Sequence, residues 1–411
     1  MSFAGMVARH VGGSLAFVAR RVMYGAAPRL DIVPQALRDR AELPRFPDIR
    51  YRSPSRLHSF VRDAAESLDR ERAHLRAEGH VGPLPPAAYL AISGGGDKGA
   101  FGAGLLAGWS AAGSRPVFKV VTGVSTGALI APLAFLGPAY DDELRSIYTG
   151  VGLRDICTPR AGLGALLGDA ISDTAPLSRL VRGHIDRRVL DAIAAEHRKG
   201  RMLLVGTTDL DAGQGVIWNL TKIAASGDPQ AADLVHRVLI ASSAIPAAFP
   251  PMLFEVEADG RRYQEMHVDG GAAAQVFFYP PALPFAEVAR ARAVERERRL
   301  YVIRNSRPEV DAARVEPKVM SIASRAIASL IHTQGRGDLY RLYFLAQRDG
   351  VGFNLAYIPQ SFDVPHPGEF DTPYMRRLYA LGYEMASRGY PWEQHPPDFG
   401  VPSSDAAVTS T

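Results

Sequence analysis

The 411-residue sequence predicts an α/β fold with a mostly parallel central sheet. Two observations carry that prediction. Within residues 90–127, two apolar runs are each followed by a glycine-rich turn, and the stretch between them has helical spacing. Further short apolar runs at 201–206, 300–303 and 353–358 are separated by helix-compatible segments, the order of parallel strands joined by crossovers. The first turn reads Ala91-Ile-Ser-Gly-Gly-Gly-Asp-Lys-Gly99 and the second Val120-Val-Thr-Gly-Val-Ser-Thr-Gly127. Between them Phe101, Leu105, Leu106 and Trp109 line one helix, which Gly113 ends.

Taken from the start, residues 1–30 hold no Asp or Glu, and Arg9, Arg20, Arg21 and Arg29 punctuate short apolar runs. The run at 11–19 is too short to span a bilayer, and Arg20-Arg21 stands where a signal peptide needs small residues. A poor signal-peptide core, a basic membrane-surface segment and disorder all fit this stretch. Residues 34–54 read as a proline-dotted connector and 56–77 as a solvated, charged helix, which 79–86 break. This places an N-terminal extension at 1–84, a main domain at 85–390 and a disordered Pro/Ser-rich tail at 391–411.

Inside the main domain, helices are expected at 128–136, 142–151, 177–197 and 231–243, with Asp173-Thr174 starting the third. Residues 157–171 are Gly/Ala/Leu-rich and read as a surface loop or a lid. A partner strand is expected at 215–220, and Asp259-Gly260 tips a hairpin joining 254–257 to 263–266. Asp209 and Asp211 read as a turn rather than as paired catalytic carboxylates. Residues 287–299 form a charged helix face, and 319–331 an amphipathic helix packed on the sheet. Tyr340, Tyr343 and Phe344 follow as core, and Asp371-Thr-Pro begins a closing helix.

The apolar content of 47% supports a substantial core. A net charge of +4 and a pI near 9.1 suit an anionic lipid surface or nucleic acid, but no nucleic-acid motif accompanies them. The single cysteine, Cys157, excludes an internal disulfide and a Cys-rich metal site, and no H-E-x-x-H or EF-hand spacing occurs. No cofactor and no metal is expected.

The two turns suggest chemistry. Gly123-x-Ser125-x-Gly127 between a strand and a helix fits a nucleophile elbow, in which the serine projects above the sheet. Gly94, Gly95 and Gly96 at a helix start can turn backbone N–H groups toward one anion, as an oxyanion hole requires. Lys98 adds to that field or caps the loop. The rival reading, a dinucleotide fingerprint Gly94-x-Gly96-x-x-Gly99, needs an acidic residue about 20 positions on. None occurs from Lys98 to Tyr140, so the oxyanion reading prevails.

A serine needs a base. His267 and Asp269 alternate on one strand and would share a face. Asp269 is the stronger candidate, because it ends the strand-like run and precedes the bare Gly270-Gly271 turn.

Gly94-Gly-Gly-Asp-Lys-Gly99, Gly123-Val-Ser-Thr-Gly127 and Asp269-Gly-Gly271, in that order, resemble the three signatures of the patatin-like phospholipases. Ala241-Ser-Ser-Ala-Ile-Pro-Ala-Ala-Phe-Pro-Pro251 is similar to the segment those proteins carry before the Asp motif, and Thr207-Thr-Asp-Leu-Asp211 with Trp218-Asn219 is similar to the bacterial branch. The resemblance implies a patatin-like three-layer sandwich and a Ser–Asp dyad. It assigns Ser125 as nucleophile, Asp269 as general base and the Gly94–Gly96 backbone as oxyanion hole, with no triad role for His267. It implies a lipid acyl hydrolase that cleaves phospholipid or related esters through an acyl-serine, at a membrane surface. A bacterial, membrane-associated or cytoplasmic setting is expected, and N-terminal lipoprotein anchoring is not, since no cysteine lies there. Two alternatives are a soluble small-ester esterase using His267 and a membrane-associated binding protein with a non-catalytic site. The oligomeric state is not indicated.

Overall fold

The computed structural model describes residues 29–52, 57–160, 169–309 and 314–399. Strand β1 (Arg50–Arg52) and helix α1 (Leu57–Ala77) come first. Then β2 (Ala87–Ile92), α2 (Gly99–Ala111), β3 (Phe118–Val124) and α3 (Thr126–Leu136) form the unit that the two glycine turns predict. Helix α4 (Asp141–Gly150), the small ribbon of β4 (Thr158–Pro159) and β5 (Ser172–Asp173), and helices α5 (Ala175–His184) and α6 (Arg187–Arg198) follow. Next are β6 (Met202–Asp209), β7 (Gln214–Asn219), α7 (Ala231–Ser242), β8 (Met252–Ala258) and β9 (Arg261–Asp269). The last are β10 (Arg298–Arg304), α8 (Val319–Asp349), β11 (Gly352–Tyr357) and α9 (Thr372–Ser387).

Nine strands make one sheet whose main path runs β1-β7-β6-β3-β2-β10-β11. The five from β6 to β11 are parallel, and β7 and β1 close one edge antiparallel. Side chains alternate across this sheet and feed two cores. Leu90 and Ile92 of β2 join the residues of α2, α3, α7 and α9 on one face, while Tyr89 and Ala91 meet α1 and the second half of α8 on the other. The result is the three-layer sandwich expected.

One step of register positions the site. β3 stops at Val124, opposite Gly206 of β6. β9 arrives antiparallel along the vacated side of β6, pairing Thr207 with Asp269, Thr208 with Val268 and Asp209 with His267. The ends of β3 and β9 therefore meet head to head, and the residues that follow Val124 and Val268 fall together.

Several expectations need correction. Residues 50–52, read as connector, are an edge strand: β1 pairs Arg50 with Trp218 and Arg52 with Val216. Helix α1 is not merely solvated, for it buries Phe60, Asp63 and Leu68, and Tyr51 donates to Asp63 at 2.6 Å. The helix expected over 177–197 is two helices, because Asp186 accepts from Val189 N and starts α6 anew. The charged segment at 287–299 is helical only over Phe285–Ala291 before β10 begins. The amphipathic helix expected to pack on the sheet at 319–331 leaves Ile322, Ile327, Leu330 and Ile331 exposed. At the chain's other end, Trp392 packs on Trp109 and Tyr301, and Glu393 bridges Leu355, so the described part of the tail is ordered against the fold. The readings made for residues 1–28, for the core of the loop or lid at 161–168 and for the tail at 400–411 lie outside the described residues. Among the described residues no helix is long and apolar enough to cross a membrane.

Candidate active site

Ser125 occupies the sharp turn from β3 into α3 with φ 54° and ψ −127°, backbone angles that a side chain rarely tolerates. The turn is held from two sides. Ser125 N donates to Ser242 Oγ at 3.0 Å, and Ser242 in turn donates to the Gly206 carbonyl at 2.7 Å. The next elements seat Asp269: its N–H donates to the Ala244 carbonyl at 2.9 Å, and its Oδ1 accepts from Gly271 N at 2.7 Å. The segment 242–244 thus braces both residues at once.

The Ser125 hydroxyl stands beside the Asp269 carboxylate and favours its charged form. Both residues are nearly closed to solvent, at 8% and 5% exposure. Burial pushes the Asp269 pKa up to about 6, against the Ser125 hydroxyl and the Gly271 N–H, which both favour its charge. A carboxylate poised there is ionised at neutral pH yet basic enough to take a proton.

His267 has no part in this pair. Trp218 Nε1 donates to Thr207 Oγ1 at 2.7 Å, so the Thr207 hydroxyl donates onward to His267 Nδ1 at 2.8 Å. The other ring nitrogen then carries the proton and donates to Glu265 at 3.1 Å. Both nitrogens are taken, and burial, outweighing the pull of Glu265, lowers the imidazole pKa and keeps it neutral.

The glycine loop lies against the pair. A Cβ on Gly94 would stand 3.2 Å from Ser125 Cβ. The Gly94 amide, however, donates to the Gln275 carbonyl at 3.1 Å, so it is not turned toward an anion at Ser125. The amides of Gly95 and Gly96 have no acceptor among the described residues. Asp97 next to them is buried and accepts from His366 Nε2 at 2.7 Å and Phe370 N at 2.9 Å, which fixes the loop's far end. Lys98 is half-buried and acts electrostatically on Glu369.

Comparison with known proteins bears on this arrangement. Residues 90–282 match the family model described as patatin-like phospholipase. They form a patatin-like phospholipase domain. The family's description is that of a lipid hydrolase. No curated protein matches the chain. Among solved structures, VipD from Legionella pneumophila is 12% identical, with a TM-score of 0.32, 74% of this chain covered and 66% of that one. The type III effector protein ExoU is 13% identical (TM-score 0.23, 74% and 53% covered). Its complex with SpcU from Pseudomonas aeruginosa gives 14% (0.22, 74% and 52%). The chain spans only 52–66% of those structures' lengths, and at such scores the likeness carries no argument.

Residues outside the match also hold the glycine loop in place. Asn305, just past β10, receives Gly102 N at 3.1 Å on its Oδ1 and donates to the Ser93 carbonyl at 2.9 Å, while its own N–H donates to Ser93 Oγ at 2.8 Å. It welds the glycine loop to α2. Nothing in its local sequence signals this role. Gly95 presses on it with φ 155°, and a Cβ there would lie 2.3 Å from the Asn305 carbonyl oxygen. Gly95→Ala is therefore expected to cost about 2 to 4 kcal/mol in denaturant unfolding. An unchanged midpoint would show that the loop is not held this way.

A second group that the sequence hid is a fully buried charge network beside the site. Arg52 pairs with Asp209 at 2.8 Å and with Glu265 at 2.6 Å, and Arg50 pairs with Glu265 at 2.5 Å. Asp209, read as a turn residue, is one of its anchors. Asp209, Glu265 and His267 are close enough to hold a metal ion, but the two guanidinium groups already fill their carboxylates.

The cavities agree only in part with the chemistry. A hollow of about 200 Å³ reaches Val124 and Gly270, the neighbours of Ser125 and Asp269, and is lined by Ala274, Phe277, Phe278 and Leu342. A larger one, about 650 Å³, sits by Ala87, Phe118 and Lys119 at the amino ends of β2 and β3, the opposite edge of the sheet. Position beside Ser125 outweighs size.

Proposed function

We propose that the molecule is a lipid acyl hydrolase acting through an acyl-serine intermediate. The observation that carries this reading is Ser125 on a strained elbow beside a buried Asp269, whose pKa is raised to about 6 and whose charge the Ser125 hydroxyl favours. Asp269 takes the proton as Ser125 Oγ attacks the ester carbonyl. The oxyanion that forms is met by the amides of Gly95 and Gly96. Collapse of the tetrahedral species expels the alcohol, to which protonated Asp269 returns the proton. Water then repeats the sequence on the acyl-serine and releases the fatty acid. The apolar hollow beside Val124 and Gly270 suits an acyl chain. The esterase alternative through His267 has no support from the geometry, since both its ring nitrogens are engaged.

A fluorophosphonate probe tests this. Wild type is expected to be labelled and Ser125→Ala not, with fatty acid released from phospholipid vesicles only by wild type. Because the base must be ionised, kcat/KM on a soluble short-chain ester should fall about tenfold per pH unit below about 6. Labelling that survives in Ser125→Ala, or a profile flat down to pH 4, would reject the assignment.

A further inference from the structure

We propose that the first half of α8 is a docking element for an anionic phospholipid surface, presented on the same edge as Ser125; this rests on the lipid-hydrolase reading above. The geometry comes from the crossover. β10 rises to Arg304 at the carboxyl edge of the parallel strands, the edge that carries the glycine loop, and α8 runs back to feed β11. The helix has 31 residues and is about 46 Å long, against about 23 Å for the seven residues of β10. Its return leg is buried through Leu339, Leu342 and Ala346. Before Gly335, no described side chain of α8 is buried. The overshoot therefore stands out beyond the carboxyl edge.

That overshoot is amphipathic. Leu330, Ile327 and Ile322 are 69%, 57% and 54% exposed, and Ile331 is exposed beside them. At 100° per residue they occupy one half of the helix circumference, while Ser321, Arg325, Ser329, His332 and Arg336 fill the other. Charge selects the partner: residues 314–335 hold Arg314, Lys318 and Arg325 against the single acid Glu316, while Arg336 is paired with Asp398. An aliphatic face with a basic flank is the pattern of helices that lie in an anionic lipid interface. At the root of the overshoot, His332 and Arg336 line a hollow with Arg304, whose buried Nη1 has no hydrogen-bond partner. The acid acting on Arg304, Asp338, is already paired with Arg341 at 2.7 Å. The mouth of the site matches, with exposed Ile245 next to Ala244, the residue that holds Asp269, and exposed Ile171 bonded to Ala247.

The test is cosedimentation with phosphatidylcholine vesicles and with mixed phosphatidylcholine–phosphatidylglycerol vesicles. Wild type is expected to bind the mixed vesicles, less so in high salt. The doubly substituted Ile327→Glu/Leu330→Glu, which alters only exposed positions and keeps good helix formers, should bind at least about tenfold more weakly. It should lose fatty-acid release from vesicles to a similar degree, while fluorophosphonate labelling and hydrolysis of a dissolved short-chain ester stay at the wild-type level. Equal binding by variant and wild type, or no binding by wild type, overturns the proposal. So does light scattering that shows a wild-type dimer dissociated by the substitutions, which would make a second copy the occupant. Absence of labelling and ester hydrolysis in wild type would instead reject the hydrolase reading, while vesicle binding is still measured on its own.

Discussion

Asp269→Asn is expected to abolish turnover and to stabilise the fold above pH 6. The activity loss should be about 10³-fold or more, since the isosteric amide keeps the Gly271 contact but cannot accept the serine proton. The stability gain follows from linkage. Burial raises the folded-state pKa of Asp269 from 3.8 to about 6. Below the lower value both the folded and the unfolded chain hold the proton, and the carboxyl costs nothing. As pH rises through the window between them, the unfolded chain ionises first, and folded stability declines until the folded group ionises too. A separation of about two units corresponds to about 3 kcal/mol at most. The amide escapes that loss. Denaturant midpoints of wild type and variant should therefore coincide near pH 4 and separate in the variant's favour by pH 8. A variant less stable than wild type at pH 8 would show that the Asp269 site is not one of net desolvation.

The second large effect lies in the buried network. Glu265→Ala leaves Arg50 without its carboxylate and Arg52 with only Asp209, both in a region closed to water. Stranding buried charge in this way costs about 3 to 5 kcal/mol. The paired replacement Arg50→Met/Glu265→Leu removes both charges together and should recover a large part of the loss, which separates an unpaired-charge penalty from a packing defect. In Glu265, burial works to raise the pKa, but Arg50, the His267 hydrogen bond and Arg52 together hold it well below the usual carboxylate range. Its contribution is thus present above the unfolded value of 4.5 and lost only as pH falls through that much lower folded value. Wild type should keep this part of its stability in mild acid. A Glu265→Ala midpoint within about 1 kcal/mol of wild type would mean that the network is hydrated rather than buried.

What the sequence made legible follows from where sterics leave no choice. A Cβ on Gly123 would meet the Gly127 carbonyl at 2.3 Å, and one on Gly127 would meet that of Ile92 at 2.3 Å, so the elbow can be written only with these glycines. The βαβ order, the hairpin at Asp259-Gly260 and the closing helix capped by Asp371 were readable for similar local reasons. Contacts made across long separations were not. Arg50-Tyr51-Arg52 reads as part of a proline-dotted connector, and only the distant Glu265 and Asp209 explain why its two arginines are buried. Gly94 looks like an anion donor until Gln275 is seen to accept its amide. The amphipathic spacing at 319–331 and the aromatic spacing of Tyr340, Tyr343 and Phe344 both read as packed, and periodicity alone cannot reveal where the sheet beneath helix α8 ends.

The placement of β1 also sets an order of assembly. Arg50 and the carboxylate it needs are 215 positions apart, and β1 must wait for β7 before it has a strand to join. During synthesis the early segment emerges with two guanidinium groups that must stay hydrated until most of the sheet exists. Loop-closure entropy across that span makes their capture a late event. The end of β9, which delivers Asp269, is clamped by the same capture. The meeting of Ser125 with Asp269 is therefore completed at the close of folding, and a partly made chain does not hold the pair together.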